Sequence, residues 1–183
     1  DDRLEINDLV DIPLANSTFN IWVRPDQALG EGRKYQWCFT VNGNYPVLGL
    51  SYTPPDDAGP FNPGSYNILS ASTSNNRFVL NTTGSIFQKE WTNVCVTKES
   101  GGTTGNKYNC KIYVNGVNQD TYFWNDTATQ DWWLDNLSLT RFNLGVLYRP
   151  SVSSNFSNTN ISSFSAYNRA LSQEEVQQNY NAL

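Results

Sequence analysis

A short segment between residues 122 and 135 concentrates the side chains that could recognise a ligand. It contains three tryptophans, Trp124, Trp132 and Trp133, together with Asn125. Indole faces stack on the C–H faces of sugar rings, and amide groups hydrogen-bond sugar hydroxyls. An apolar platform edged by a few polar groups is typical of a small-molecule site. We therefore predict that the segment is a loop and that these four side chains contact carbohydrate.

Two further hypotheses apply to the same segment. Its carboxylates Asp126, Asp131 and Asp135 supply the oxygen ligands that calcium prefers, so a calcium site is one of them. The other is structural, because the tryptophans could instead pin a long loop onto a sheet. Elsewhere in the chain, Tyr148 and Arg149 are predicted to stack on, or hydrogen-bond, a carbohydrate ligand. None of these interpretations requires a cofactor, and calcium is the one candidate for a bound ion.

The composition excludes several kinds of chemistry. The chain has no histidine, which rules out Ser-His-Asp and Cys-His catalysis as well as histidine-ligated zinc. Its net charge is −5, and its twelve Lys and Arg residues do not cluster, so we expect no nucleic-acid partner. We also expect no membrane span, because no apolar run is long enough to cross a bilayer. The chain lacks methionine, and we expect one domain spanning residues 1–183, excised from a longer polypeptide.

The three cysteines, Cys38, Cys95 and Cys110, are predicted to be reduced and mostly buried. Cys95 and Cys110 look like a pair across a hairpin, but the pleat of the strands argues against a disulfide. Val94 and Val96 flank Cys95, whereas Cys110 shares a face with Ile112. If these aliphatic neighbours all face the core, the two sulfur atoms point to opposite sides of the sheet.

Alternating apolar and polar residues recur along the chain, which is the pattern of half-buried strands. Phe19, Ile21 and Val23, for example, alternate with Thr18, Asn20 and Trp22. The dipeptide Asn115-Gly116 lies between two valines and predicts a tight hairpin, because both turn positions need positive φ. Many strands without helices between them indicate an all-β fold, namely an antiparallel β-sandwich or jelly roll.

One helix is predicted at the end of the chain. Ser172 is its N-cap, and Glu175 completes a capping box three residues later. Leu171 and Val176 flank the cap as a hydrophobic staple. A single helix that ends an all-β chain usually covers an open end of the sheet, and we expect that placement here.

Three segments together resemble the laminin-G-like domains of the concanavalin A-like lectin/glucanase superfamily. They are similar to an early strand, a central hairpin and a final strand with its helix in that family, and comprise Ser17–Pro25, Glu90–Thr97 with Lys111–Gly116, and Ile161–Tyr180. Their order and separation agree over nearly the whole chain. The resemblance implies a concanavalin A-like, LamG-like jelly roll with one short C-terminal helix.

The resemblance also implies structural roles for several of these residues. Trp22 and Trp91 are expected to be apolar plugs of the scaffold. Arg169 is expected to anchor the strand-to-helix corner through backbone carbonyls or an acidic partner. The chain departs from the family pattern at Ser162 and Ser163, which replace an acidic pair.

The function that these observations favour is a non-catalytic carbohydrate-binding or adhesion module. It would attach a larger secreted, cell-surface or virion protein to glycans or glycoproteins outside the cell. The alternative is a protein-interaction or decoration domain that contacts other subunits of a capsid, tail fibre or surface layer. A glucanase-type hydrolase is a third hypothesis, but no strand has the glucanases' E-x-D-x-E pattern, and we predict no catalytic residues.

Overall fold

Strands occupy most of the described chain, as the alternating pattern predicts, and one helix ends it. The computed structural model describes residues 4–13, 15–25, 36–41, 47–52, 66–71, 77–82, 90–101, 109–126, 138–147, 155–156 and 159–182. The strands are β1 Leu4–Pro13, β2 Ser17–Pro25, β3 Gln36–Val41, β4 Val47–Tyr52, β5 Tyr66–Ala71, β6 Arg77–Thr82, β7 Thr92–Lys98, β8 Cys110–Val114, β9 Val117–Asn118, β10 Thr121–Asp126, β11 Ser138–Leu144, β12 Val146–Leu147, β13 Asn155–Phe156 and β14 Thr159–Tyr167. Helix α1 is Gln173–Asn181.

The described strands pair antiparallel in two main sheets. One has seven strands in the order β1-β11-β3-β4-β5-β6-β10, and the other has five in the order β14-β2-β7-β8-β9. β12 and β13 form a separate two-stranded ribbon. Neighbours such as β2 and β7 are far apart in sequence, so the chain passes repeatedly from one sheet to the other. This architecture confirms the predicted antiparallel jelly roll with one short C-terminal helix.

Aromatic rings from both sheets fill the space between them. Phe19 of β2 lies with its ring centroid 5.2 Å from that of Phe39 in β3. Phe164 of β14 lies 4.3 Å from Phe142 of β11. Ile21, two residues after Phe19 in β2, is fully buried. In the five-stranded sheet, the apolar residues of the alternating pattern thus face the core, and the polar residues face outward.

The Asn115-Gly116 hairpin between β8 and β9 is confirmed. Both turn residues have positive φ, 50° at Asn115 and 76° at Gly116. A side chain at Gly116 would also collide with Gln177 of α1, because its Cβ would lie 2.9 Å from the amide atoms. The Gly116 carbonyl accepts a hydrogen bond of 2.7 Å from Gln173 Nε2. The tight turn therefore doubles as a contact surface for the helix.

Helix α1 has the predicted N-cap, but it packs on a different part of the sheet from the one we predicted. Ser172 Oγ accepts from the Glu175 backbone N–H at 3.3 Å, and the Ser172 N–H donates to Glu175 Oε2 at 2.9 Å. Leu171 and Val176 are buried in one cluster with Cys95 and Tyr113. Those last two residues belong to the outward face of β7 and β8. The expectation of a helix over an open sheet end was wrong, because the only apolar stripe of α1 matches this outer face.

Arg169 anchors the strand-to-helix corner through an acidic partner, which is one of the two modes that we predicted. Its guanidinium contacts Glu175 with both Nη atoms at 2.7 Å. This hydrogen bonding lowers the pKa of Glu175 from 4.5 to about 2. The same glutamate therefore completes the capping box and binds the arginine.

The cysteine predictions are confirmed. Cys38, Cys95 and Cys110 are all reduced and buried. Cys95 lies opposite Tyr113 in the sheet and packs under the helix, whereas Cys110 lies opposite Lys98 and shares the inward phase of Ile112. Burial raises the pKa of the Cys95 thiol to about 12. The reactive thiolate form is therefore disfavoured at neutral pH.

The first five residues of the segment 122–135 lie in a strand where we predicted a loop, and the rest of the segment lies outside the described ranges. Residues 121–126 form β10, which pairs with β6. Among the described strands, β10 is one edge of the seven-stranded sheet. Its succession of aromatic residues hides the alternation that marks the other strands. The register shifts between Phe123 and Asn125, so Trp124 has no direct partner in β6. Such irregularities re-aim side chains and often lie next to binding sites.

Truncating the staple tests the placement of the helix on the sheet. Val176 is 1% exposed, and we expect Val176→Ala to lower the free energy of unfolding by about 1–3 kcal/mol through loss of buried contacts. Val117→Ala is the matched control, because Val117 is 58% exposed on the same sheet. Urea unfolding of both variants measures the difference. Equal, small effects would contradict docking of α1 on this face.

The Arg169–Glu175 pair makes the helix start sensitive to pH. Because folding lowers the pKa of Glu175 from 4.5 to about 2, the pair stabilises the fold above pH 4.5, and this is lost as the pH falls towards 2. We expect Glu175→Gln to melt below wild type near neutral pH, with the gap closing over that acid range. Thermal unfolding against pH measures it, with exposed Glu90→Gln as control. A gap that stays constant with pH would refute the pairing.

Candidate functional site

The outer face of the five-stranded sheet presents polar and aromatic side chains beside the helix. On β2, Trp22 alternates with the buried residues Ile21 and Val23 and therefore faces outward. Asn93 of β7 lies directly opposite Trp22. Helix α1 covers the part of this face near Cys95. The part that remains uncovered is where a ligand can reach the sheet.

A groove of about 290 Å³ opens on this uncovered part. The described residues that line it are Trp22, Trp91, Ser162 and Ser163. Consecutive residues of a regular strand point to opposite faces. The β14 register shifts between Ile161 and Ser163, however, and this irregularity allows both serines to line the groove. Two indoles and two hydroxyls are therefore brought together from three strands or strand ends.

Trp22 forms the fixed wall of the groove. Its ring stacks on Tyr180 of α1, with centroids 5.8 Å apart and planes at 17°. Its indole N–H is buried and has no hydrogen-bond partner among the described residues. A buried donor of this kind costs free energy until something accepts its hydrogen. A ligand oxygen in the groove is one acceptor that would remove that cost.

Trp91 forms the open wall. It precedes β7 and is 42% exposed, so the prediction that it is an apolar plug was wrong. The residue shares the outward phase of Asn93 and Cys95, so it lies on the face of the sheet that points away from the opposite sheet. The guanidinium of Arg24 lies over its ring, 5.4 Å from the centroid, in cation–π geometry. Trp22 is half-buried, so it is a plug only in part.

An asparagine network supports the floor beside Trp22. Asn93 Nδ2 donates to Asn20 Oδ1 at 2.9 Å, and the Asn93 N–H donates to Asn115 Oδ1 at 2.9 Å. The Asn115 N–H donates back to the Asn93 carbonyl at 2.8 Å. Asn93 Oδ1 itself is buried without a partner in the described part of the chain. These bonds fix β7 against the hairpin and hold the floor rigid.

A second, larger concavity of about 670 Å³ runs along the helix. Its described lining is made of polar side chains and one alanine: Gln173, Glu174, Gln177, Gln178, Asn181 and Ala182. None of these residues supplies an aromatic platform. The tryptophan groove is therefore the stronger candidate for a ring-shaped ligand.

The predicted sugar-binding residues lie mostly beyond what the structure describes. Trp124 and Asn125 fall on β10, at the register shift of that edge strand. The other four residues are outside the described ranges, namely Trp132, Trp133, Tyr148 and Arg149. The predictions for these six side chains remain untested.

The predicted calcium ligands are equally open. Asp126 ends β10, whereas Asp131 and Asp135 lie outside the described ranges. Within the described residues, no group of three or more His, Cys, Asp or Glu side chains could hold a metal ion.

In the part of the chain that the structure describes, no helix is both long and apolar enough to cross a membrane.

The tryptophan groove was missed by the sequence analysis, although two signals pointed to it. Trp22 falls in the polar phase of the β2 alternation, together with Thr18 and Asn20, which already indicates an outward position. Ser162 and Ser163 break the family pattern by replacing an acidic pair. Both signals marked a change on the same outer face.

Comparison with protein families identifies the scaffold. The Laminin_G_3 family model, described as the concanavalin A-like lectin/glucanases superfamily, matches residues 1–177. The chain belongs to this superfamily. The match confirms the resemblance drawn from the three sequence segments. Comparison with curated proteins gave no match.

Solved structures with the same fold include several binding proteins. A SAP-like pentraxin from Limulus polyphemus is 13% identical with a TM-score of 0.60, over 96% of this chain and 73% of the pentraxin. The sialidase CBM40 of Ruminococcus gnavus, bound to α2,3 sialyllactose, is 14% identical with a TM-score of 0.61, over 98% of this chain and 97% of the module. Botulinum neurotoxin type C, whose cell entry depends on two ganglioside molecules, is 14% identical with a TM-score of 0.61. That alignment covers 93% of this chain but only 36% of the toxin chain.

Proposed function

We propose that this protein is a non-catalytic carbohydrate-binding module that attaches a larger secreted, cell-surface or virion protein to extracellular glycans. The observation that carries the proposal is the groove in which exposed Trp91 and half-buried Trp22 face two serine hydroxyls. The indoles offer apolar faces to a sugar ring, while the hydroxyls and the unpartnered Trp22 N–H offer hydrogen bonds. A mostly apolar concavity with a few fixed polar groups is the usual form of such a site.

The structural neighbours support this proposal at the level of the fold. One of them is a carbohydrate-binding module that binds sialyllactose, and another enters cells through gangliosides. Sialyllactose is a glycan and gangliosides carry glycans. The pattern favours glycans as partners here, with a protein surface as the alternative.

Hydrolysis is disfavoured at the groove itself. Retaining glycosidases place two carboxyl groups about 5–5.5 Å apart, and inverting enzymes place them about 6.5–9.5 Å apart. The described lining of the groove contains no carboxylate. We therefore propose binding without bond cleavage, and release of reducing ends from a polysaccharide panel would contradict it.

The segment predicted from sequence supplies a second proposed contact. Trp124, Asn125, Trp132 and Trp133 would contact sugar residues beyond the groove, joined by Tyr148 and Arg149. Asp126, Asp131 and Asp135 would bind calcium in this segment. Several weak contacts on one displayed module suit adhesion, because multivalent attachment multiplies modest single-site affinities.

Removing the exposed indole tests the groove. We expect Trp91→Ala to weaken binding of the best ligand from a glycan array by about thirtyfold, equivalent to ~2 kcal/mol for an aromatic anchor. The free energy of unfolding should change by less than about 1 kcal/mol, since the residue is largely exposed. Trp91→Phe keeps a ring and should retain most of the affinity. A blank array, or equal calorimetric affinities for wild type and Trp91→Ala, would reject carbohydrate binding at this groove.

The second contact is tested separately. We expect Trp132→Ala and Trp133→Ala each to weaken glycan binding about fivefold or more without lowering the melting temperature. Calcium should raise the melting temperature of wild type, and Asp131→Asn should reduce that increase, because a ligand that binds only the native state stabilises it. If the tryptophan variants fail to fold, the loop-pinning interpretation holds. If calcium leaves the melting temperature unchanged, the metal hypothesis fails.

A further inference from the structure

Arg24 places a positive charge beside the tryptophan groove, and it has no acidic partner among the described residues. It follows Trp22 by two positions on β2 and therefore faces the same outer side of the sheet. Its guanidinium carbon lies 5.4 Å from the centroid of the Trp91 ring. The Nε atom is buried and has no hydrogen-bond partner among the described residues. The side chain is thus held against the aromatic wall with a donor left open.

No described carboxylate neutralises this guanidinium. The ion pair seen within the described ranges joins Arg169 and Glu175, at the far corner of the helix. The groove lining adds only indoles and serine hydroxyls. In a protein with a net charge of −5, a cation that lies beside an aromatic groove and has no acidic partner in the described ranges is a local exception. Such a group gains free energy when a ligand brings the missing negative charge.

Arginine also suits an oxyanion by its shape. Its planar guanidinium presents five N–H donors in a fixed fork, and two of its N–H groups can bind two oxygens of a carboxylate or sulfate side by side. The cation–π contact with Trp91 holds the plane of the fork in place. Arg24 is therefore preorganised for a planar or tetrahedral anion next to a sugar ring.

We propose that the groove is selective for acidic saccharides, with Trp91 and Trp22 contacting the sugar ring and Arg24 pairing with its carboxylate or sulfate group. Ser162 and Ser163 then hydrogen-bond neighbouring hydroxyls. This inference rests on the proposed carbohydrate binding and narrows it to one class of sugar. Neutral sugars retain only the stacking and hydroxyl contacts.

Matched pairs of probes test the charge preference by calorimetry on the full chain. Sialyllactose against lactose and oligogalacturonate against its methyl ester report a carboxylate, while dextran sulfate against dextran reports a sulfate. We expect the acidic member of at least one pair to bind about tenfold or more tightly than its neutral partner. That preference should shrink with added salt, because salt screens the partly exposed ion pair.

Two variants assign the preference to Arg24. Arg24→Gln should abolish it while keeping the weaker affinity for the neutral partner, and Arg24→Lys should keep part of it because charge remains without the fork. Lys111→Gln is the charge-matched control, on an exposed site two strands away in the same sheet, and should leave the preference intact. Circular dichroism and melting temperature confirm folding of each variant.

The outcomes separate the two proposals. Equal affinity for acidic and neutral sugars, or a preference that survives Arg24→Gln, overturns the acidic-saccharide inference and leaves carbohydrate binding in place. Absence of binding to every probe and to the glycan array overturns both. Loss of the preference in Lys111→Gln as well as Arg24→Gln would show that overall charge, and not the groove, is responsible.

Discussion

The attachment of the strand-to-helix corner to β2 is the constraint on which the site depends. The buried hydroxyl of Thr18 donates to the Arg169 carbonyl and accepts from the Leu171 N–H, both at 2.9 Å. A buried polar group left without a partner costs about 1–3 kcal/mol, so this double hydrogen bond permits little displacement of the corner. From that point the capping box starts α1, which then carries Val176 and Tyr180 across the outer face of the sheet.

The position of the helix determines the shape of the groove. Tyr180 reaches Trp22 because the corner is held at Thr18, four residues before Trp22 on β2. The stacked ring keeps Trp22 upright as a wall, and the asparagines below it tie β7 to the hairpin. A sheet surface that would otherwise be flat thereby acquires a concavity. Rigid support of this kind keeps the entropic cost of binding low, because few side chains need to be ordered by a ligand.

The groove combines three kinds of contact that single strands do not supply. Aromatic faces come from Trp22 and Trp91, hydroxyls come from β14, and the positive charge comes from Arg24. Each is weak alone, and their convergence is what distinguishes this region from the amide-lined concavity on the helix. Arg24 has no acidic partner in the part of the chain that the structure describes, and a cation in this position would favour anionic ligands as proposed.

Several features could be predicted from sequence because their causes are local. The capping box of Ser172 and Glu175 needs only neighbouring residues, and the positive φ of Asn115-Gly116 belongs to the turn itself. The apolar alternation of β2 and β7 indicated the sandwich, and the flanking valines indicated that Cys95 and Cys110 face opposite ways. The family motif added the identity of the fold and the anchoring role of Arg169.

Other features followed only from contacts between distant parts of the chain. The alternation shows that Trp22 faces away from the core, but it does not show what covers that face. Helix α1 covers part of it, and the start of α1 is hydrogen-bonded to β2 across 153 residues of sequence. The exposure of Trp91 depends on how much of the outer face α1 covers. The presence of both Ser162 and Ser163 at the groove depends on a register shift against β2. Local residue patterns determined the elements and their inner faces. Long-range packing alone decided which outward residues came together, because strand order, register and helix docking are properties of pairs of segments and not of either segment by itself.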